Sequence, residues 1–242
     1  MYRFDLSVIV PCYNEKENIP LIVKRFKEVL PKTLGTELIL VDNGSTDGSG
    51  AVMRRLAGQN SFLRISKIKN NIGYGYGVWC GLKRAAGKYI CWTHADLQTD
   101  LKDVVIAYYK IKEQQNPQRC FVKGKRKERA FFDLIFTFGM SIFVSIVLRK
   151  TFHDINAQPN IFHRDFLRFA KNPPRDFSFD LYFYYLAKKC GYKIVKFPVL
   201  FRKRVHGKSS WNTDLHGKWK FITRTVNFTF KLKKYIKSEE ND

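Results

Sequence analysis

The chain has 242 residues, of which 45% are hydrophobic, so it can bury the core of one large domain and is not globally disordered. Its 44 lysines and arginines outnumber its 21 acids and give a formal net charge of +23. A field of that sign attracts nucleic acid, anionic lipid headgroups or phosphorylated substrates. Five scattered cysteines without a CxxC pair argue against a disulfide framework or a zinc site and favour a reducing cytosol. The first apolar run, Leu6–Val10, is too short for the core of a signal peptide.

The first half of the chain alternates short apolar runs with amphipathic segments. Each strand and its following helix occupy about thirty residues, a pattern that predicts a parallel, doubly wound sheet. The predicted strands are Leu6–Pro11, Glu37–Val41, Leu63–Ile68 and Tyr89–Thr93. The predicted helices are Glu17–Leu30, Thr46–Ala57 and one that ends at Ala86, with Gly87 as its C-terminal cap.

Polar residues follow three of these strands. They are Pro11–Glu15 after the first strand, Asp42–Ser45 after the second and His94–Gln98 after the fourth. Because ligands bind at the carboxyl ends of the strands in such sheets, we expect these residues to line one site. Asp42 can accept hydrogen bonds from a base or a ribose, with a helix N-cap as its alternative role.

His94, Asp96 and Gln98 alternate along the chain and converge if the backbone stays extended. Imidazole, carboxylate and amide oxygen suit Mg²⁺ or Mn²⁺, and such an ion neutralises charge on a leaving diphosphate. The alternative is an ordinary strand-end cap.

Two glycine-rich segments do not match nucleotide-binding motifs. Gly73–Gly77 follows the third strand rather than the first and is not GxGxxG, and Gly81–Lys88 has the wrong spacing for a phosphate loop. Gly73–Gly77 either lets the backbone approach a ligand closely or is simply flexible.

The second half contains a long apolar segment, Phe131–Leu148. Its uncharged part covers 15 residues, Leu134–Leu148, which is short for a membrane span. Small or polar residues recur every fourth position and form one stripe on a helix. They are Asp133, Thr137, Ser141 and Ser145. We expect a helix in the membrane interface or over an apolar groove, with a core helix as the alternative.

The C-terminal part is strongly basic. A helix is predicted over Phe179–Lys189, and a strand over Ile194–Phe201 whose Pro198 indicates an edge position. From Gly191 to Lys237 there are 13 lysines and arginines and one acid, Asp214. Basic residues flank one apolar helical face, which favours a membrane-surface helix, with a solvated helix packed on the domain as the alternative. That face consists of Leu215, Trp219, Ile222 and Val226.

Pro11–Glu15, Val41–Gly48 and Ala95–Gln98, in this order and spacing, resemble family 2 glycosyltransferases of the GT-A fold. Within the family, the motifs look like those of dolichol-phosphate mannose synthases and bacterial polyprenyl-phosphate glycosyltransferases. The resemblance covers roughly residues 5–211 and implies a Rossmann-like, mostly parallel sheet flanked by helices.

The resemblance also implies roles by position. It assigns the metal to His94, Asp96 and Gln98 and places Arg126 opposite an acceptor phosphate. The segment that begins at Arg204 resembles the loop that closes over the diphosphate. The full candidate set for the nucleotide-sugar is Pro11, Tyr13, Glu15, Asp42, Asn43, His94, Asp96, His206 and Lys208.

The chain departs from the family pattern at several positions. His94 replaces an aspartate of the metal motif, so the site loses a negative charge. His206 stands where an arginine is usual, and Asp154–Pro159 replaces the usual Ser-Gly-Phe segment. The resemblance implies that the region of residues 154–159 shapes the acceptor or sugar pocket.

The need for a catalytic base depends on the acceptor. A lipid phosphate is already ionised, whereas a sugar hydroxyl must lose its proton to a carboxylate. Asp180, near a helix start where relatives carry an acid, is the first candidate and Asp154 the second. A charge that complements the helix N-terminus is the alternative role of Asp180. With Asp96, Arg126 and Arg204, it completes the predicted catalytic set.

The sequence therefore predicts a GT-A domain over residues 1–212, with a nucleotide-binding half (1–100) and an acceptor-side half (101–212), and a basic amphipathic extension (213–242). The predicted function is inverting, metal-dependent sugar transfer from a nucleotide-sugar to a membrane-associated acceptor on the cytoplasmic face. The acceptor is a polyprenyl phosphate or, alternatively, a saccharide hydroxyl of a cell-surface glycan. Nucleic acid is not an expected partner. The alternatives from other classes are a nucleotidyltransferase, which releases pyrophosphate, and a non-catalytic basic protein that binds membrane or nucleic acid.

Overall fold

The computed structural model describes residues 2–127, 131–206 and 215–240. The strands are β1 (Phe4–Cys12), β2 (Thr36–Asn43), β3 (Leu63–Ile68), β4 (Gly87–Trp92), β5 (Cys120–Lys127), β6 (Asn160–His163) and β7 (Lys193–Leu200). The helices are α1 (Asn18–Val29), α2 (Ser49–Gly58), α3 (Tyr74–Arg84), α4 (Lys102–Lys112), α5 (Phe131–Leu148), α6 (Ser178–Lys189) and α7 (Leu215–Glu240).

The seven strands form one sheet in the order β3-β2-β1-β4-β6-β5-β7. Only β6 runs antiparallel to its neighbours β4 and β5, while the other pairs are parallel. The mostly parallel α/β sheet predicted from the sequence is therefore confirmed. The carboxyl ends of β1, β2, β4, β5 and β7 lie along one edge, where such sheets bind ligands.

Both faces of the sheet are covered by helices. One core lies under α3, α5 and α6, and the other lies under α1, α2 and α4. Trp92, at the end of β4, is the centre of the first core. Its ring lies 5.4–6.3 Å from four phenylalanine rings, at 121, 162, 179 and 183. Much of the abundant phenylalanine therefore fills the core beneath the carboxyl edge of β4.

The strands of the first half agree with the prediction, but α4, β5 and β6 were not predicted. The expected glycine cap is also wrong, because α3 ends at Arg84 and Gly87 begins β4. A Cβ atom at Gly87 would lie 2.6 Å from the backbone nitrogen of Ser7, so glycine allows β4 to pair closely with β1. Pro198 lies in β7 at the edge of the sheet, as predicted.

Helix α5 buries part of the predicted polar stripe and exposes several large apolar side chains. Of that stripe, Ser141 is buried and the Ser145 hydroxyl accepts a hydrogen bond from the Phe152 N–H at 2.8 Å, while the side chains of Asp133 and Thr137 lie outside the described residues. Phe138, Ile142 and Ile146 are exposed instead, and Ile146 retains 71% of its accessible surface. These three residues are called the apolar stripe below.

Helix α7 packs against α5, with the Phe143 and Phe230 rings 5.8 Å apart. Trp219 and Phe230 of α7 are also exposed. Among the helices of the described residues, none has the length and hydropathy required to cross a bilayer.

Candidate functional site

The loops after β1 and β2 are joined by hydrogen bonds. The Thr46 N–H donates to Asn14 Oδ1 at 2.8 Å, and the Asn14 N–H donates to Ser45 Oγ at 3.1 Å. The Glu15 N–H donates to Ser49 Oγ at 3.0 Å. The sequence places short polar side chains here because each satisfies a backbone group of the neighbouring loop. Tyr13, which immediately precedes Asn14, is exposed.

Asp42 and Asn43 end β2 and are both buried. Asp42 Oδ1 accepts the Ser45 N–H at 3.0 Å, so the carboxylate holds a turn rather than capping α2, whose N-cap is Gly48. Asn43 donates to the carbonyl of Gly73 at 3.0 Å, whereas its own Oδ1 has no hydrogen-bond partner among the described residues. An unpartnered buried acceptor of this kind suits a ligand donor group.

The glycine segment 73–77 packs against the protein's own backbone. A Cβ atom at Gly73 or Gly75 would collide with a carbonyl oxygen of Arg175 or Pro174, respectively. The Tyr76 N–H donates to the Arg175 carbonyl at 3.0 Å. Close backbone approach is therefore the role of these glycines, but the partner is the 174–176 segment. On α3 itself, Gly77 leaves space beside Pro11 and Asn43.

The segment that carries His94, Asp96 and Gln98 is not extended at Leu97, whose φ is 54°, so Asp96 and Gln98 are not related by the simple alternation expected from the sequence. Asp96 Oδ2 lies 3.1 Å from Arg204 Nη2, and the Gln98 side chain donates to the Arg202 carbonyl at 3.0 Å. The described residues contain no group of three histidine, cysteine or acidic side chains arranged as metal ligands. Within the predicted motif, Asp96 therefore places its carboxylate beside Arg204 at the strand ends.

The segment that contains Arg204 lies over the loop that follows β1. His206 Nδ1 lies 3.4 Å from Glu17 Oε2, and Asn18 donates to the His206 carbonyl at 3.5 Å. Burial raises the pKa of Glu15, the nearby Arg204 charge opposes that rise, and Asp96 adds to it. Glu15, Asp96 and Arg204 are therefore close together. Lys208, the other cation predicted for this loop, lies outside the described residues.

Asp180 lies beneath the end of β4 and is only 2% exposed. Its Oδ1 accepts hydrogen bonds from Trp92 Nε1 at 3.0 Å and Gln158 Nε2 at 2.9 Å. Its Oδ2 has no hydrogen-bond partner among the described residues. Burial raises the pKa of Asp180, and the nearby His94 charge opposes the rise more than any other group does. In the first turn of α6, Asp176 rather than Asp180 accepts the Ser178 N–H, at 2.9 Å.

His94 belongs to the surroundings of Asp180. Its ring lies 5.4 Å from the Tyr74 ring, and the Tyr74 hydroxyl accepts a hydrogen bond from Gln158 at 3.2 Å. The structure places His94 near Asp180, Tyr74 and Gln158, a grouping that the sequence did not predict. Asp180 was selected in advance, but Gln158 and Tyr74 were not, and their residue types gave no signal.

On the acceptor side, Arg126 Nε lies 3.5 Å from Asp154 Oδ1, and the guanidinium lies over the Phe201 ring at 5.2 Å. Beneath this pair, the Lys123 ammonium donates to the carbonyls of Asp154 at 2.6 Å and Ile155 at 3.2 Å, and to a third carbonyl, of residue 157, at 3.3 Å. Burial lowers the pKa of Lys123 to about 7. The sequence did not identify Lys123, because it belongs to a basic run for which a solvated face is the usual interpretation.

Residues 7–155 match the family described as Glycosyl transferase family 2. The chain therefore belongs to this family, as its strand-end motifs predicted.

Similarity to individual relatives extends over different shares of each chain. The chain is 30% identical to a dolichyl-phosphate β-glucosyltransferase of Dictyostelium discoideum, over 80% of this chain and 65% of that one. It is 25% identical to a dodecaprenyl-phosphate galacturonate synthase of Rhizobium johnstonii, over 69% of this chain and 50% of that one. It is 42% identical to the dolichol-phosphate mannosyltransferase of Saccharomyces cerevisiae, over 39% of this chain and 36% of that one. The chain thus spans between a third and two thirds of the length of these relatives.

Solved structures agree on the fold. The glucosyl-3-phosphoglycerate synthase of Mycobacterium tuberculosis, in complex with Mn²⁺, UDP and glucosyl-3-phosphoglycerate, superposes with a TM-score of 0.72. The match covers 95% of this chain and 80% of that one at 14% identity. Similarity at this level shows the fold alone, and it confirms the predicted GT-A architecture.

Proposed function

We propose that this protein is an inverting, metal-dependent glycosyltransferase that moves a sugar from a nucleotide-sugar donor to a lipid phosphate at a membrane surface. The observation that carries the proposal is the 3.1 Å contact between Asp96 and Arg204 over the strand ends, with Glu15 beside it. A carboxylate for a hard cation and a guanidinium for phosphate oxygens are thereby held in one place. Donor binding at this edge also agrees with the general position of ligands in such sheets.

The residues present fit a divalent cation that is shared with the donor. Mg²⁺ is usually held by one or two carboxylates together with substrate phosphates, so Asp96 is a sufficient ligand from this part of the chain. Glu15, whose pKa responds to the Asp96 charge, is the second carboxylate nearby. When bound, the ion offsets negative charge on the diphosphate. The M. tuberculosis neighbour, which was crystallised with Mn²⁺ and UDP, supports this assignment.

The proposed reaction is a single displacement at the anomeric carbon. An ionised oxygen of the acceptor phosphate forms a bond to that carbon. The bond from the carbon to the β-phosphate oxygen of the donor breaks, and its electron pair leaves on the nucleoside diphosphate. Arg204 stabilises this developing charge, and Arg126 holds the acceptor phosphate after exchanging Asp154 for it. One displacement inverts the configuration of the sugar.

Two observations support a lipid acceptor. Arg126 lies at the end of β5, and the next helix along the chain is α5, which presents the apolar stripe to the surroundings. A phosphate headgroup at Arg126 can therefore extend its tail along an apolar surface, which is the amphiphilic match that a lipid phosphate requires. The relatives named above are a dodecaprenyl-phosphate galacturonate synthase, a dolichyl-phosphate β-glucosyltransferase and a dolichol-phosphate mannosyltransferase.

A saccharide hydroxyl is the second candidate acceptor, and Asp180 favours it. A buried carboxylate with a raised pKa and an unpartnered Oδ2 has the properties of a general base. In that reaction the hydroxyl proton passes to Asp180 as the oxygen attacks the anomeric carbon.

The test combines donor binding with product analysis. The full chain is incubated with UDP-, GDP-, CDP- and dTDP-sugars, with Mn²⁺ or Mg²⁺, and with vesicles that contain or lack a polyprenyl phosphate. We expect one donor to stabilise the fold only with metal, by about 2.7 kcal/mol at a hundredfold excess over Kd. Nucleoside diphosphate release should require the lipid phosphate, and NMR of the product should show the inverted anomer.

Two variants test whether the metal-dependent stabilisation requires Asp96 itself or is lost on removal of any one acidic side chain. Asp96→Asn should lose the metal-dependent stabilisation, whereas Asp165→Asn, a half-exposed carboxylate beyond β6, should keep it. Stabilisation that persists in Asp96→Asn, or the absence of any donor response in the unaltered chain, would contradict the proposal and favour a non-catalytic role.

A further inference from the structure

A second concentration of positive charge lies on the face of the sheet that packs against α6. Three lysine ammonium groups surround the ring of Tyr184: Lys123 at 5.1 Å, Lys196 at 5.5 Å and Lys188 at 5.6 Å from its centroid. They come from β5, β7 and α6, so the fold itself brings them together. Lys123 is enclosed by carbonyl oxygens, whereas Lys188 and Lys196 are partly open to solvent.

The surroundings of these lysines are also positive. The basic cluster, as it is called here, consists of Lys125, Lys150, His153, Lys188 and Lys196. Burial and then the Lys188 charge lower the pKa of Lys196, and burial and then the Lys150 charge lower that of Lys188. Burial and then the Lys196 charge lower the pKa of His153.

Opposite charge is scarce around the basic cluster. Within the part of the chain that the structure describes, Asp154 is the carboxylate whose charge reaches Lys196 and His153, and it already lies beside Arg126. Such a concentration of like charge destabilises the fold and is relieved when an anion binds.

The basic cluster is distinct from the acceptor arginine. Successive side chains of a strand point to opposite faces, so Lys125 and its neighbour Arg126 project to opposite sides of β5. Arg126 packs against Phe201 and Asp154, while Lys125 acts on His153 and Lys196. The cluster therefore adds a second anion-attracting surface that the transfer reaction does not use.

The position of this cluster indicates which anion it meets. The apolar stripe on α5 ends at Ile146, the helix itself ends at Leu148, and the exposed Lys150 follows two residues later. A change from large exposed apolar side chains to lysine at the end of a helix matches the boundary between acyl chains and headgroups. The ligand at this end of α5 is therefore amphiphilic, with its charge beside Lys150.

We infer that the basic cluster binds the phosphate of an anionic phospholipid headgroup when the apolar stripe lies in the membrane interface. This inference rests on the membrane location in the proposed function, but not on the transfer chemistry. It assigns a binding role to Lys188 and Lys196, which lie outside the donor and acceptor sites.

The test compares two double variants that remove the same charge. Lys188→Gln/Lys196→Gln alters the basic cluster, and Lys24→Gln/Lys32→Gln removes two exposed lysines of the α1 region on the opposite face. Binding of the full chains to phosphatidylcholine vesicles, with and without phosphatidylglycerol, is measured by co-sedimentation. We expect the cluster variant to bind the anionic vesicles about tenfold more weakly than the control variant, since each lysine near such a surface contributes strongly.

A thermal melt without lipid completes the test. The cluster variant should melt at the same temperature as the control or higher, because it loses repulsion between like charges. A lower melting temperature would show that the lysines stabilise the fold and would contradict the inference. Equal losses of vesicle binding in the two variants would show that binding depends on net charge alone. If inorganic phosphate instead stabilises the parent chain but not the cluster variant, while the two double variants bind vesicles equally, that result would identify a soluble phosphate as the ligand and overturn the lipid assignment.

Donor binding separates this inference from the proposed function. Both double variants should keep the metal-dependent stabilisation by the nucleotide-sugar. Lipid selectivity without any donor response in the parent chain would contradict the transferase proposal alone. A donor response without lipid selectivity would contradict the lipid site alone.

Discussion

Replacement of Lys123 tests how a buried ammonium group beneath the candidate site affects the free energy of unfolding. Replacing it with methionine keeps an unbranched stem of similar volume and removes the ammonium group. Its three acceptors, the carbonyls of residues 154, 155 and 157, then lose their donor. An unsatisfied buried polar group costs about 1–3 kcal/mol, so Lys123→Met loses a contribution of that order, while it also removes the cost of burying a charge.

The pH dependence of this loss has a predicted sign. The pKa of Lys123 is about 7 in the folded protein, below its ordinary value of 10.5. Between these values the unfolded chain binds more protons than the folded one, so the contribution of Lys123 to stability increases as pH rises. Integration from pH 7 to pH 9 gives an increase of about 2 kcal/mol, which Lys123→Met cannot show.

The assay is urea unfolding of the parent chain and Lys123→Met at both pH values. Because every other titrating group is present in both proteins, the difference between them reports Lys123 together with the charges coupled to it, of which Asp180 is the first. The deficit of the variant should be about 2 kcal/mol larger at pH 9 than at pH 7. An equal deficit at both pH values would refute the reasoning, since it would mean that the three carbonyls keep the ammonium charged despite its burial.

Three further predictions concern packing, the membrane surface and the acceptor. In urea unfolding, Gly75→Ala should lower the free energy of unfolding by about 1–3 kcal/mol, because the new methyl group meets backbone carbonyls. Gly58→Ala is the control: a methyl group there has nothing within 4 Å, so this variant should raise the free energy of unfolding by up to about 1 kcal/mol. Ile146→Asn should leave the melting temperature unchanged but weaken vesicle binding; a large loss of stability would mean that the side chain is packed. Asp180→Asn should retain donor binding in the thermal assay. Its rate of transfer to a hydroxyl acceptor should fall by a factor of about 10²–10⁴, whereas its rate of transfer to a lipid phosphate should not change.

The sequence predicted the first half of the fold well for a physical reason. Strands in the middle of a parallel sheet are buried on both faces and therefore form continuous apolar runs, as in β1 and β2. The strands β5 and β6 lack that signal, since β5 reads FVKGKRK after its first residue and β6 has four residues. Burial of Lys123 depends on the carbonyls of a loop more than thirty residues away, which no local pattern reveals.

The site was predicted by residue type better than by geometry. Asp96 and Arg204, which lie more than one hundred positions apart, do meet, because the carboxyl ends of β4 and β7 lie at the same edge of the sheet. The alternation of Asp96 with Gln98 required an extended chain, and the left-handed backbone of Leu97, which lies between them, prevents it. A positive φ at leucine is unfavourable and is determined by the surrounding packing, so no local sequence pattern predicts it.

The grouping of His94 with Asp180 makes the Asp180→Asn experiment informative about the acceptor. Asparagine has nearly the shape of aspartate and can still accept the Trp92 and Gln158 hydrogen bonds through its amide oxygen, so the walls of the pocket should remain in place. What changes is the capacity to take a proton, together with the negative charge that faces His94. A lipid phosphate needs neither proton acceptor nor activation, whereas a hydroxyl needs both. Loss of transfer to a hydroxyl with intact donor binding would therefore assign Asp180 as the base, and unchanged transfer to either acceptor would leave it a structural carboxylate beneath β4.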